Sequence, residues 1–219
     1  IDKQKKIVIV ADYDADGATS STLMVLALRV MGAQVLYLVP DRFKYGYGLT
    51  SAIADLAFER YTPDVLITVD NGISSHAGVE RAQALGMQVI ITDHHLTTKA
   101  TPNAEAVVNP NQLGCDFPSK ALAGVGVAFY VLANLSTYRK KLNKSSAIMS
   151  QYLDLVALGT YADVASLDYN NRILVDVGLK RIQQHLCRPG ISALLEIAGR
   201  EAATLKEQDL GFVLGPRIN

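Results

Sequence analysis

Short runs of apolar, β-branched residues alternate with stretches of helical periodicity through the first half of the chain. The runs at 6–11, 34–39, 64–69, 87–92 and 105–108 predict strands, and the apolar spacing at 18–31, 50–60 and 75–85 predicts helices between them. Gly32 and Gly86 stand where two of these helices would end. Such alternation predicts an α/β fold, a doubly wound, mainly parallel five-stranded sheet with flanking helices. From about residue 122 the β-branched runs thin out and helical spacing takes over at 124–142, 147–160, 169–185 and 190–199, so the C-terminal part is expected to be mostly helical. The polar stretch 139–146, with Arg139, Lys140, Lys141 and Lys144, predicts a loop between two of these helices. The pattern reads as one domain over 1–219, with an α/β core at 1–120 and a helical part at 121–219 that completes it. There is no internal repeat and no low-complexity tract.

Composition narrows the possibilities without choosing among them. With 219 residues, 49% of them hydrophobic, the chain can bury a full core, which excludes disorder. The 21 basic and 21 acidic residues cancel, so any charged partner must be met by a local group of residues and not by a bulk field. Two cysteines, Cys115 and Cys187, are too few and too unpatterned for a disulfide framework or a zinc knuckle, and they suit a reducing cytoplasm. No apolar stretch approaches the roughly 20 residues of a membrane helix. The chain opens on Ile1 and stops in GPRIN, and it reads as a piece of something longer.

The candidate chemistry lies at the ends of the predicted strands. The segment VADYDADGAT sets Asp12, Asp14 and Asp16 at alternate positions just past the first strand. An EF-hand calcium loop begins this way, but it requires a Glu at its twelfth position, where Leu23 stands, and a helix before it. A phosphatase of the type with an aspartate nucleophile fits Asp14, Asp16 and Gly17 locally, and simple helix capping by an Asp accounts for one acid. Three alternating acids repel one another unless a cation or proton lies among them. VLITVDNG places Asp70 past the third strand, and VIITDHH places Asp93, His94 and His95 past the fourth. In an open parallel sheet these positions share one rim, where ligands bind. GTYADV adds Asp163 after an apolar helix ending near Gly159. Carboxylates mixed with imidazole suit manganese, and magnesium less well. The set reads as a binuclear metal site, in which two ions ~3.5–4 Å apart hold a phosphodiester and lower the pKa of a water.

DYDADG, VDNG, TDHH and GTYADV, in this order and spacing, resemble the motifs of the DHH phosphoesterase superfamily, whose name is that of the triplet Asp93, His94, His95. The longer strings PDRFKYGYGL, VDNGISSHAGVE, NPN, FPSKALAGVGVAF and GPRIN resemble its branch of bacterial single-strand-specific exonucleases, over nearly the whole chain. The resemblance implies metal-dependent 5′ to 3′ hydrolysis of single-stranded DNA to 5′-mononucleotides, in repair and recombination. It implies two Mn2+ (or Mg2+) ions held by Asp14, Asp16, Asp70, His94 and Asp163, with Asp70 bridging. His95 would face the scissile phosphate, and Asp12 and Asp93 would support the site. Many superfamily members carry a histidine where Val10 stands here. The same resemblance makes a single-strand-binding protein and a helicase the candidate partners, with a second domain closing over the strand. Monomer is the default and no membrane is involved. A phosphoesterase acting on short oligonucleotides or nucleotide phosphates is the nearest rival, and a replication scaffold without catalysis is another.

Two segments offer contacts for a strand. DRFKYGYGL combines Arg42 and Lys44 with Phe43, Tyr45 and Tyr47, the mixture of cation and aromatic face that holds single strands, although its glycines also suit an ordinary loop. In PSKALAGVGVAF, Ser119, Lys120 and Gly124 precede or open a helix whose N-terminus could approach a phosphate; close packing explains the glycines equally well. Arg217 and Asn219 in GPRIN are given a substrate role by the resemblance. His76 and His185 read as structural.

Overall fold

A computed structural model describes residues 1–97 and 100–219 and shows a five-stranded sheet in the order β2-β1-β3-β4-β5. Its strands are β1 (Lys6–Ala11), β2 (Gln34–Leu38), β3 (Val65–Val69), β4 (Gln88–Thr92) and β5 (Ala106–Val108), and every pairing is parallel. The first three connections are helical: α1 (Ala15–Val30), α3 (Ser51–Tyr61) after a single turn α2 (Arg42–Tyr45), and α4 (His76–Ala84). The C-terminal part is formed by α5 (Gly124–Lys141), α6 (Leu153–Ala162), α7 (Tyr169–Gln183) and α8 (Pro189–Ile197), followed by short helical turns to Arg217.

Strict alternation along the central strands builds two cores. Ile7, Ile9 and Ala11 of β1 face α1, α5, α6 and α7, whose Leu28, Leu132, Leu158 and Ile182 are buried in the same cluster. Val8 and Val10 point the other way, onto Ile53, Ala57 and Val79 from α3 and α4, together with Leu66 and Val89. Val10 is therefore a core residue, and Asn71 Nδ2 donates to its carbonyl at 3.3 Å. Burying one such aliphatic side chain contributes roughly 1.5–3 kcal/mol, and every residue from Ile7 to Ala11 is apolar and buried. The helical part shares the first core with the sheet, so neither half has a complete interior alone.

The predicted elements are present, with differences that have local causes. Gly32 (φ +87°) and Gly86 (φ +83°) adopt the left-handed conformation that ends α1 and α4. Around them Ala33 N donates to Leu28 O and Met87 N to Ala82 O, the back-bonding that closes a helix. Helix α1 starts at Ala15, three residues before its apolar periodicity, because the Asp14 side chain caps it by accepting Gly17 N–H at 2.9 Å. Helix α6 continues through Gly159 to Ala162, since Gly159 packs on Thr19 and Val125 where a larger residue would not fit. In the polar stretch 139–146, Arg139 is no loop residue: it lies in α5, buried, and donates to Met31 O, Ser145 O and Asp2. The segment read as a loop around Arg42 holds a helical turn, nucleated by Asp41 capping Phe43 N–H. His185 lies just past α7 in the left-handed conformation.

Sequence order reverses beside β1: β2 lies on one side and β3 on the other. The crevice at the carboxyl ends of these strands is the topological switch point of the sheet, the place where open parallel sheets bind ligands. Ala11 pairs with Val69, and Val69 with Thr92, so β1, β3 and β4 end level with one another. The residues just past each of these strands must meet there.

Candidate metal centre

Those residues are Asp12–Asp16, Asp70 and Asp93–His95, and α6 brings Asp163 to the same place from the helical half. Asp16 lies in the first turn of α1 and is 1% exposed. Its Oδ2 accepts Gly124 N–H at 2.6 Å and its Oδ1 accepts Val125 N–H at 2.9 Å, so the N-terminus of α5 grips both oxygens. A carboxylate in that position gains roughly 1–2 kcal/mol from the helix dipole. Even so, burial and then the nearby Asp163 charge push the Asp16 carboxyl up to about 7. Gly17 is required by the same turn: a Cβ on it would fall 2.3 Å from Asp12 O.

Asp70, 2% exposed, holds the left-handed backbone at φ +60°, a strained conformation that Asp tolerates better than most residues. Burial first, then the charges of Asp16 and Asp14, raises its carboxyl well above the ordinary range. Asp163 caps the C-terminus of α6, and burial followed by Asp14 raises it to about 6. His94 is held neutral, down to about 4, chiefly by burial and next by the charge of His95. Its Nε2 lies 3.1 Å from Asp70 Oδ1 and 3.8 Å from Asp16 Oδ2, and its Nδ1 is 3.9 Å from Asp163 Oδ2. With a neutral ring these contacts are not ion pairs.

Donor atoms of Asp16, His94 and Asp163 lie within 4.8 Å of one another, and so do those of Asp70, His94 and His95, and those of Asp12, Asp14 and Asp70. Two buried atoms of the cluster, Asp70 Oδ1 and His94 Nε2, have no hydrogen-bond partner among the described residues. Buried polar atoms are seldom left open. An open carboxylate oxygen beside an open imidazole nitrogen, amid acids that repel one another, fits a divalent cation of the manganese or magnesium kind.

Asp93 is separate from this set. Its Oδ1 accepts His94 N, His95 N and His95 Nδ1 at 2.7, 3.1 and 2.7 Å, and its Oδ2 accepts Ile73 N at 2.8 Å. Burial opposes its charge, but these bonds outweigh it and hold the carboxyl below the ordinary range. The Asp93 hydrogen bond in turn raises His95 and fixes its ring, whose Nε2 lies 3.2 Å from the Tyr47 hydroxyl. The backbone of the triplet is clamped from outside: Asn109 Nδ2 donates to His95 O and Asn111 Nδ2 to His94 O.

The candidate strand-binding residues divide into two groups. Arg42 and Tyr47 stand at the rim, Arg42 on Asp12 at 3.2 Å. Tyr45 packs against the core cluster beneath α3. Ser119 donates to Asp168 Oδ2, and Lys120 Nζ to Pro110 O and Cys115 O, so both polar groups are engaged in holding loops. The Gly124 N–H is taken by Asp16, leaving it no phosphate to bind. Asn219 Oδ1 accepts Ala15 N–H at 2.7 Å and closes the start of α1, while Arg217 reaches back to Val213 O. Tyr13, Asn111 and the N-terminus of α5 as a carboxylate grip were not singled out by sequence. Asn111 lies in NPN, and a glycine-opened helix facing an acid is the only local signal for the grip.

The model of the DHH family, N-terminal domain, matches residues 6–160. The single-stranded-DNA-specific exonuclease RecJ of Escherichia coli is 54% identical over 98% of this chain, and the chain spans 38% of the length of that relative. A crystal structure of exonuclease RecJ bound to manganese superposes with a TM-score of 0.85 at 36% identity, covering 100% of this chain and 53% of that one. RecJ of Thermus thermophilus in complex with Mg2+ has a TM-score of 0.65 at 31% identity, over 100% of this chain and 26% of that one. With the acid and histidine rim assembled at the switch point and the family model matched over residues 6–160, the chain belongs to the DHH family.

Proposed function

We propose that this chain carries the hydrolytic centre of a metal-dependent exonuclease that removes 5′-mononucleotides from single-stranded DNA. The observation that carries the reading is the pair of open, buried donors, Asp70 Oδ1 and His94 Nε2, within a cluster of acids delivered by β1, β3, β4 and α6. Likeness to RecJ exonucleases at 54% identity supports the choice of single-stranded DNA over a smaller phosphoester. Asp14, Asp16, Asp70, His94 and Asp163 would hold two ions, manganese in preference to magnesium, with Asp70 between them. When bound, such ions draw charge from the phosphodiester and acidify a water.

The chain's own residues do the rest. The grip of α5 on Asp16 and the strained turn at Asp70 fix the ligands before substrate arrives, so no reorganisation is needed during the reaction. His95, whose proton affinity the Asp93 hydrogen bond raises, would present a hydrogen-bond donor to the phosphate where negative charge builds. Water oxygen bonds to phosphorus as the bond to the 3′ oxygen of the leaving nucleotide breaks, and the phosphate stays on the shortened strand. Arg42 and the aromatic faces of Phe43 and Tyr47 would hold backbone and bases. Phe43 is 97% exposed, which suits a stacking face better than a core residue. Among the described residues no helix is long and apolar enough to cross a membrane. The free cysteines Cys115 and Cys187 support a cytoplasmic setting, where a single-strand-binding protein and a helicase would prepare the strand for a monomer.

The test is Asp70→Asn in the complete gene product, assayed on 3′-labelled single strands with manganese. The expected result is release of nucleotides from the 5′ end by the parent protein and none by the variant, with an unchanged circular dichroism spectrum. Undiminished turnover by the variant, or faster cleavage of a dinucleotide than of a long strand by the parent, would refute the reading.

A further inference from the structure

Asp12 has two possible occupations. Its carboxylate is within 4.8 Å of Asp14 and Asp70 donor atoms, as a metal ligand would be. Yet both of its oxygens accept Arg42 Nη2 at 3.2 Å, and Oδ1 also accepts Tyr13 N–H at 2.8 Å. The Arg42 guanidinium carbon lies 3.4 Å above the centre of the Tyr13 ring and 5.8 Å from that of Tyr47, whose hydroxyl reaches His95. Arg42 is thus held by a carboxylate on its edge and an aromatic floor on its face. Its Nε is buried and has no hydrogen-bond partner among the described residues.

We propose that Asp12 and Tyr13 are positioning residues for Arg42 and stand outside the metal site. They fix a guanidinium at the rim, its side chain 35% exposed and packed near the Tyr47 ring that reaches His95, so that its exposed edge faces an incoming phosphate oxygen of the strand; this assignment rests on the nucleic-acid reading above. The physical case is preorganisation. A free arginine side chain loses several rotatable bonds on gripping a phosphate, and a clamped one has lost them on folding. The stacked, edge-bonded geometry also requires a planar fork, which lysine does not have. The rim segment and the acid motif, far apart in sequence, become one device in which the first and second residues past β1 aim the first residue of α2.

The test uses the complete gene product and three variants, Asp12→Asn, Tyr13→Leu and Arg42→Lys, with three readouts. Calorimetric titration of manganese should give parent stoichiometry and affinity for all three. Steady-state hydrolysis of single-stranded DNA should show kcat/KM falling about 10- to 100-fold, mainly through KM, and a double variant of Asp12→Asn with Arg42→Ala no worse than Arg42→Ala alone. The Arg42 Nε–H resonance, sharp and slow to exchange in the parent, should broaden in Asp12→Asn and Tyr13→Leu. Loss of a manganese ion in Asp12→Asn would make it a ligand and overturn the assignment, as would an unmoved KM or an unmoved resonance. If the parent itself fails to cut single strands, the functional reading falls, and the resonance still decides whether Asp12 and Tyr13 position Arg42.

Discussion

Adding one methyl group at Gly124 tests whether the grip of α5 on Asp16 holds the centre together. A Cβ there would lie 2.6 Å from Asp70 Cβ, 2.7 Å from Asp70 Oδ1 and 2.8 Å from Asp70 Cγ. Ordinary carbon contacts are ~3.5–4.0 Å, so either α5 or Asp70 must give way by about 1 Å. If α5 moves, the 2.6 Å bond from Gly124 N to Asp16 stretches to the limit of hydrogen bonding, and one oxygen of a fully buried carboxylate loses its partner. Overpacking of this kind costs about 1–3 kcal/mol, and up to about 1 kcal/mol returns because alanine suits a helix better than glycine. A net loss of about 0–3 kcal/mol leaves a domain of ordinary stability folded. A misplacement of about 1 Å at a reacting centre, by contrast, costs on the order of a hundredfold in rate. Gly124→Ala should therefore melt within about 10 °C of the parent yet bind manganese weakly and turn over about a hundredfold more slowly. Gly190→Ala, where a Cβ meets nothing within 4 Å, is the control. Parent-like manganese affinity and turnover in Gly124→Ala would refute the argument that this contact sets the geometry.

Other outcomes rest on the same structure. In metal-free protein, Asp16 at about 7, Asp163 at about 6, Asp70 well above its ordinary value and His95 raised all bind more protons folded than unfolded above pH 6.5; His94, lowered to about 4, works the other way, but only by the roughly half proton or less that its unfolded imidazole still holds there. Stability must then fall as pH rises from 6.5 to 8; urea melts with chelator should show it, saturating manganese should reverse it, and a flat metal-free profile would contradict it. Val164 holds φ +56° while 86% exposed, a left-handed β-branched residue with little packing to repay the strain. Val164→Asn should raise the midpoint of thermal unfolding by an amount equivalent to about 0.5–1 kcal/mol, and a lower midpoint would show that the valine side chain stabilises its surroundings.

The fold was legible because β1 and β3 are dominated by apolar, β-branched residues and because Gly32 and Gly86 mark helix ends. The acid rim was legible because strand ends in a parallel sheet share one edge, so Asp14, Asp70 and His94 could be grouped from short strings. The features that stayed hidden depend on long-range backbone contacts. Nothing near Lys120 in sequence shows that its amine reaches Pro110 O, and nothing near Gly124 shows that its N–H faces Asp16, 108 residues away. A basic residue or glycine beside a helix start looks the same whether it meets a phosphate or a carboxylate of its own chain. Arg139 misled for a related reason: a run of cations suggests a solvated loop, and only the position of Asp2 and Met31 O explains why one of them is buried.

The closure of α1 by Asn219 spans 204 residues, from Ala15 N to Asn219 Oδ1. A ribosome adding ~5–20 residues per second needs roughly 10–40 s to make that much chain. For the first part of that interval the nascent segment carries its aspartates without the grip of α5 and without Asp163, and for all of it without its final cap. The sheet can form early from local βαβ units, but the acid cluster can be assembled only once Asp163 and the helix that carries it have been made.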